Sequence, residues 1–410
     1  MKTRFFLTFI CFLIVGENTS LLAANLKPGL WHAAITNDSG KEIPFLFEAK
    51  TTAGLQSVEI MNGTERLKAD EITTAGDSIF IKMPFFDSEF KAILKNDKLS
   101  GNWVRHSITG QSLMPFHAEF GQAERFAQAE PLVNMGGRYK ITYPGREKYS
   151  IGEFIQTSTG IVTGSILNID GDYRFLEGRV RGDSLYLSTF DGSHCFLFTA
   201  KYYTKGDSLG GAKFYMGKSS VRTWSGLKDQ NAALPDAYSL TAMKQGVSKL
   251  NFAFKNLAGK EITSSDLYFK NKVVIVQFMG SWCPNCMDET AFLSKFYKAH
   301  AKNVAVVGLA YERTTDFEKS KISLSNLVRR FKVDYPILIT GYTNEPAQVL
   351  ISMPALNNYI AFPTTIILDR HGKVRKIHTG FSGPGTGKYY ADFEEEFTSL
   401  ILALSIEPSM

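Results

Sequence analysis

The hydrophobic pattern changes its period once along the chain, near residue 226. From about 25 to 225, apolar and polar residues alternate in short runs broken by Gly, Asp and Asn. This is the two-residue period of strands with one buried face. Ser78-Ile79-Phe80-Ile81-Lys82-Met83 and Ser184-Leu185-Tyr186-Leu187-Ser188 are two such runs. The pattern also repeats. Gly29-Leu30-Trp31 returns as Gly137-Arg138-Tyr139, and Gly76-Asp77-Ser78-Ile79-Phe80-Ile81 returns as Gly182-Asp183-Ser184-Leu185-Tyr186-Leu187. Asp97-Lys98-Leu99-Ser100-Gly101 has its counterpart in Asp207-Ser208-Leu209-Gly210-Gly211. The offsets nearly agree, which predicts two related β-rich units, 25–121 and 134–225, with Gln122 to Val133 as a helix or connector. A pair of small barrels or sandwiches fits this pattern, and so does one larger barrel.

Residues 226–249, with Asn231-Ala232-Ala233-Leu234-Pro235-Asp236, read as a linker. Over 250–408 strand-like and helix-like runs alternate. Strands are expected at Val273–Phe278, Val304–Ala310, Pro336–Thr340, Thr364–Asp369 and Lys373–His378. Helices are expected at Asn285–His300, near Phe317–Phe331, near Asn344–Tyr359 and at Tyr389–Leu404. Such alternation, closed by a hairpin at His371-Gly372, indicates a mixed α/β sheet covered on both faces.

Candidate chemistry sits where the first buried strand meets its helix, at Trp282-Cys283-Pro284-Asn285-Cys286. Two cysteines at this spacing on a helix N-terminus can close a small disulfide and reopen it. The positive end of the helix dipole stabilises a thiolate on Cys283, the more exposed of the two, which makes it the expected attacking thiol. Cys286, one turn inward, is the expected resolving thiol. A proline at the first helical position suits reversible closure. Glu289, three residues after Cys286 on the same helical face, could exchange the resolving thiol's proton. Its neighbour Asp288 is expected to point elsewhere into solvent.

Composition narrows the context. The 410 residues, 44% apolar and 21% charged, suit two or three globular domains. The net charge of +6 is small and its lysines and arginines are scattered among acids, so no nucleic-acid footprint stands out. Lys2 and Arg4 followed by apolar Phe5 to Val15 and small Ala23-Ala24 read as a signal peptide over 1–24, which predicts export to the periplasm or envelope. An uncleaved membrane anchor is the alternative. Of the four cysteines Cys11 lies in that leader, leaving Cys195, Cys283 and Cys286. One C-x-x-C without a second pair argues against a zinc ribbon, so no metal is expected. Cys195, within His194-Cys195-Phe196-Leu197-Phe198, reads as a buried inert thiol, with a redox partner or a metal ligand beside His194 as alternatives. The glycine-rich Gly380–Gly387 loop lacks a phosphate-binding Lys-Ser/Thr pair and reads as a helix-start loop near the active face.

Trp282-Cys283-Pro284-Asn285-Cys286 after a buried strand, then Phe362-Pro363-Thr364-Thr365-Ile366 before Leu368-Asp369, resemble the thioredoxin fold. Within it, the extra helical segment Phe317–Tyr359 resembles the TlpA/ResA-like thiol–disulfide oxidoreductases. The resemblance covers about 250–408. It implies a cis peptide between Phe362 and Pro363, with Trp282, Pro284, Phe362 and Pro363 forming the surface that receives substrate, and a glutamate at the position of Glu289. Thioredoxin itself carries a buried aspartate where this chain has Gln277, and an amide cannot take up a proton there. The proton burden therefore moves to Glu289 or water. The implied activity is reduction or exchange of disulfides in exported proteins, apocytochrome c being one candidate, with electrons resupplied by a membrane-borne or soluble thiol donor and no cofactor beyond the Cys283–Cys286 pair. Two alternatives stand beside it. One is a peroxiredoxin-like peroxidase, although Met279-Gly280-Ser281-Trp282 lacks that group's motif. The other is a ligand- or partner-binding β module with an auxiliary redox domain.

Overall fold

The computed structural model describes residues 24–407 apart from Phe85, Ile108 and Thr109. The segment read as a signal peptide, 1–24, lies outside the described residues except for Ala24.

The first β unit contains β1 (Gly29–Thr36), β2 (Glu42–Thr52), β3 (Leu55–Asn62), β4 (Glu65–Ala69), β5 (Glu71–Ala75), β6 (Ser78–Lys82), β7 (Ser88–Lys95), β8 (Lys98–Ser107) and β9 (Gly110–Phe120). They form an antiparallel sheet in the order β4-β3-β2-β1-β9-β8-β7-β6-β5. The second unit contains β10 (Gly137–Thr142), β11 (Ser150–Gln156), β12 (Ile161–Asn168), β13 (Gly171–Asp172), β14 (Leu176–Arg181), β15 (Ser184–Phe190), β16 (Cys195–Tyr203), β17 (Ser208–Met216) and β18 (Ser220–Lys228). Here β10 pairs with β18 and β11 with β12, which closes an eight-stranded antiparallel barrel. Eight strands leave an interior that side chains fill. Leu185, Leu187, Phe198, Phe214 and Trp224 fill it.

The repeated motifs occupy equivalent places. Gly29 and Gly137 each open a first strand, with φ of +126° and +123°. Gly76 and Gly182 turn into β6 and β15, and Asp97 and Asp207 turn into β8 and β17, all in the left-handed region. The two units share a core. Phe190, at the end of β15, stacks on Phe45 of β2 at 4.6 Å and edges Trp103 of β8 at 5.1 Å. The connector 122–133 contains no helix. Its buried Arg125 donates to Met61 and Ser188 carbonyls and pairs with Glu177 at 3.3 Å, tying one unit to the other.

The boundary expected at 226 falls inside β18, which continues to Lys228. The segment that follows is not a free tether. It adds β19 (Ala242–Met243), and its Ala237 carbonyl accepts from Thr379 N–H at 3.0 Å.

The C-terminal unit contains β20 (Ala253–Asn256), β21 (Glu261–Thr263), β22 (Val273–Met279), α1 (Pro284–His300), β23 (Val304–Glu312), α2 (Phe317–Phe331), β24 (Ile337–Thr343), α3 (Pro346–Ser352), β25 (Leu356–Asn358), β26 (Thr364–Leu368), β27 (Val374–Thr379) and α4 (Lys388–Ile406). Its sheet runs β21-β20-β24-β23-β22-β26-β27, with β22 parallel to β23 and antiparallel to β26. Every residue of β22 and β23 is buried, as the unbroken Val/Ile runs of central strands require. The architecture is a thioredoxin-like fold behind a nearly all-β N-terminal region. The helix expected over 344–359 is shorter. It stops at Ser352 because Met353 precedes Pro354, whose ring disfavours helical backbone in the residue before it.

Candidate active site

Central β22 delivers the redox motif at its C-terminal end. Gly280 lets the chain fold the Trp282 indole back onto it, since a Cβ at 280 would fall inside the indole. The indole Nε1 donates to Tyr311 O at 2.9 Å, and Arg313 lies over the ring at 5.1 Å. Ser281 is fixed by Glu312, which accepts from its N–H and its hydroxyl at 2.7 Å each.

Cys283 and Cys286 form a disulfide with Cα atoms 5.2 Å apart. Cys283 is the N-cap of α1, and its Sγ accepts from Cys286 N–H at 3.2 Å. That hydrogen bond and the helix dipole both favour negative charge on this sulfur. Cys286 is fully buried, Cys283 is 4% exposed and Pro284 is the first residue of the helix. The Phe362–Pro363 peptide is cis. The Phe362 ring is itself buried, forming a wall between Trp282 at 5.5 Å and Tyr359 at 5.0 Å.

Glu289, three residues after Cys286 on α1, is 1% exposed. Gln277 Nε2 donates to one carboxyl oxygen at 2.8 Å and Thr365 Oγ1 to the other at 2.7 Å. Thr365 faces Gln277 across the β22–β26 ladder, so the register places both donors on one carboxyl group. Gln277 Nε2 also lies 3.4 Å from the Cys286 carbonyl, and its Oε1 accepts from Thr290. Burial pushes the Glu289 carboxyl up to about 7, although both hydrogen bonds favour the charged form.

Asp288 departs from expectation. It is not solvated. Its carboxylate pairs with buried Arg174 at 2.8 Å, and its side chain is 15% exposed. Burial pushes its carboxyl up to about 7 against the pull of Arg174, and Asp172 and Glu65 add to the rise. Cys195 is a free thiol buried in the core the two β units share, and burial raises it far above the usual range. His194 pairs with Asp191 at 3.0 Å. Among the described residues no group of three or more His, Cys, Asp or Glu could hold a metal ion.

The Gly380–Gly387 loop does abut the redox helix. Gly383 N–H donates to Asp172 at 2.7 Å, and a Cβ on Gly383 would press on Asp288 at 2.8 Å. From the other side Asn285 Nδ2, between the two cysteines, donates to Asp170 O at 3.1 Å. Sequence reading missed Arg174, Asp170, Glu312 and the role of Asp288. The one available signal was that Asn285 and Asp288, three apart, share a helical face.

The chain is similar to known proteins. The Redoxin family model matches residues 229–392. Thiol-disulfide oxidoreductase ResA of Bacillus subtilis (strain 168) is 30% identical over 139 residues, covering 34% of this chain and 69% of that protein. Thioredoxin-like protein YneN of the same organism is 29% identical over 138 residues, covering 34% and 73%. A crystal structure of a putative thiol:disulfide interchange protein DsbE from Chlorobium tepidum is 19% identical and covers 39% of this chain and 99% of that one, with a TM-score of 0.30. Through its C-terminal unit, with a disulfide after the central strand and a buried glutamate one helical turn further on, the chain belongs to the ResA-like thiol–disulfide oxidoreductases of the thioredoxin superfamily.

Proposed function

We propose that the protein is exported and reduces or exchanges disulfides of envelope proteins. The observation that carries this reading is Glu289, a fully buried carboxyl held near neutrality one helical turn beyond Cys286. A group so placed exchanges protons with a thiol at working pH. In the reduced enzyme the Cys283 thiolate attacks one sulfur of the substrate disulfide. A Cys283–substrate disulfide forms and the other substrate sulfur leaves as a thiolate. Cys286 gives its proton to Glu289 and attacks Cys283 Sγ. The mixed disulfide breaks and the second substrate thiolate leaves. The substrate has gained two electrons and, from Glu289 and solvent, two protons; the enzyme holds the Cys283–Cys286 disulfide.

Trp282 and Pro284, which flank Cys283 in sequence, and the backbone around cis-Pro363 and Phe362, whose ring meets Trp282, would receive an extended segment of the substrate. Exchange resets the enzyme through a membrane-borne or soluble thiol donor. The dithiol is the redox group, so the scheme needs no cofactor. The basic and apolar leader supports export, and apocytochrome c is one substrate of the required kind. No described helix is long and apolar enough to cross a membrane.

Cysteine substitution separates the two sulfurs. A Cys286→Ser enzyme incubated with a disulfide-bearing peptide accumulates a covalent complex through Cys283, visible by non-reducing electrophoresis and mass spectrometry. A Cys283→Ser enzyme accumulates little. Equal trapping by both variants contradicts the assignment.

A further inference from the structure

We propose that the second β unit is a working part of the redox site. Arg174 and the Asp170–Gly171 hairpin are positioning residues that hold the first turns of α1 and set the equilibrium of the Cys283–Cys286 couple. The inference rests on the reading that these two cysteines are the working couple.

The contact is built from both sides. Asp170 O accepts from Asn285, which sits between the two cysteines. Gly171, at φ +143°, leaves no room for a side chain. A Cβ there would fall inside the Asn285 carboxamide and lie 2.8 Å from Phe381 O. Three residues on, Arg174 is held at φ +59°, a left-handed conformation rare for a residue with a side chain. Such backbone persists where the surroundings enforce it, and it gathers at functional sites.

Arg174 links all three parts of the molecule. Its Nη2 donates to Glu65 of the first unit at 2.6 Å and its Nη1 to Asp288 of α1 at 2.8 Å. Its Nε lies 3.5 Å from Asp191 of the second unit. Asp172 stands beside it, accepting from the Arg174 and Gly383 N–H groups. His194 contacts Asp191 from the far side. One buried guanidinium therefore faces three carboxylates directly, with a fourth adjacent.

Asp288 lies five residues beyond Cys283, within the second turn of the same helix. Reduction converts a neutral disulfide into a pair whose Cys283 sulfur carries negative charge. In a buried setting that charge is sensitive to the balance between Arg174 and the acids around it. Without the guanidinium, the acids disfavour the thiolate, so the reduced form loses stability and the couple becomes more reducing. Without the Asp288 carboxylate the shift has the opposite sign.

The test measures the full-length protein's redox equilibrium in glutathione buffers. Arg174→Met is expected to move the equilibrium constant about tenfold toward the disulfide, about 30 mV for a two-electron couple. Asp288→Asn is expected to move it several-fold the other way, and Arg174→Lys to return it close to the parent. Met and Asn variants that both stay within twofold of the parent, or that shift in the same direction, overturn the proposal. If Arg174→Met does not fold, the Asn and Lys variants decide by the same criteria. A parent couple that does not titrate reversibly overturns the functional reading itself. A parent that titrates, with unresponsive variants, overturns only this inference.

Discussion

Burial decides what Glu289 can do. Its carboxyl rises from an ordinary value of 4.5 to about 7 because desolvation outweighs two hydrogen bonds. The folded-state value lies above the unfolded one, so the folded protein binds the extra proton between the two. Stability therefore falls as pH rises from about 4.5 to about 7 and stays level beyond it. The cost of ionising the buried group is on the order of 3 kcal/mol. Glu289→Gln should thus stabilise the protein at pH 8 by up to that amount. The same change should slow resolution of the mixed disulfide by roughly 100-fold, the range for loss of a general base. Denaturant unfolding of parent and Gln proteins at pH 8 checks the first effect. Single-turnover rates against pH check the second: the parent profile rises with an inflection near 7 and the Gln profile is flat there. An inflection that survives in the Gln enzyme rules out Glu289 as the proton acceptor. This residue was legible in the sequence because i, i+3 spacing from Cys286 fixes the shared helical face. Its two donors were less so, since Gln277 and Thr365 meet only through the β22–β26 register.

At the scale of elements, the second barrel and α1 are fitted together through backbone. The β12–β13 hairpin presents a carbonyl and a glycine to Asn285, and neither yields to a larger side chain. Gly171→Ala is expected to cost about 1–3 kcal/mol by overpacking. It should also lower amide protection across 285–290 about tenfold in hydrogen exchange, because the hairpin must withdraw from α1. Parent-like protection there would show that the contact bears no load. Beyond the shared helical face of Asn285 and Asp288, none of this was visible in the sequence. Arg174 and Asp288 are 114 residues apart, and a contact of that span leaves no local periodicity. Asp288 looked like an ordinary acid early in a helix, where the dipole already favours a carboxylate. The short α3, by contrast, could have been read from Pro354.

At the scale of the whole molecule, the repeat announced the two β units, and the closure of the second barrel follows from strand pairings that local pattern cannot specify. Their fusion through Phe190 and Arg125 was hidden, because a buried Phe or Arg carries no mark of which sheet it will enter. The result joins two β units to one redox unit, with the disulfide set at the junction, where the hairpin of one part touches the helix of another. On this reading the junction holds a dithiol that gives electrons to its substrates. Equilibrating the purified protein in glutathione or dithiothreitol buffers and quantifying the Cys283–Cys286 disulfide measures its reduction potential directly. A reducing dithiol should give a value near that of thioredoxin, roughly −270 mV. A value near roughly −120 mV, that of a strong oxidant, would reverse the direction of electron flow and contradict this reading.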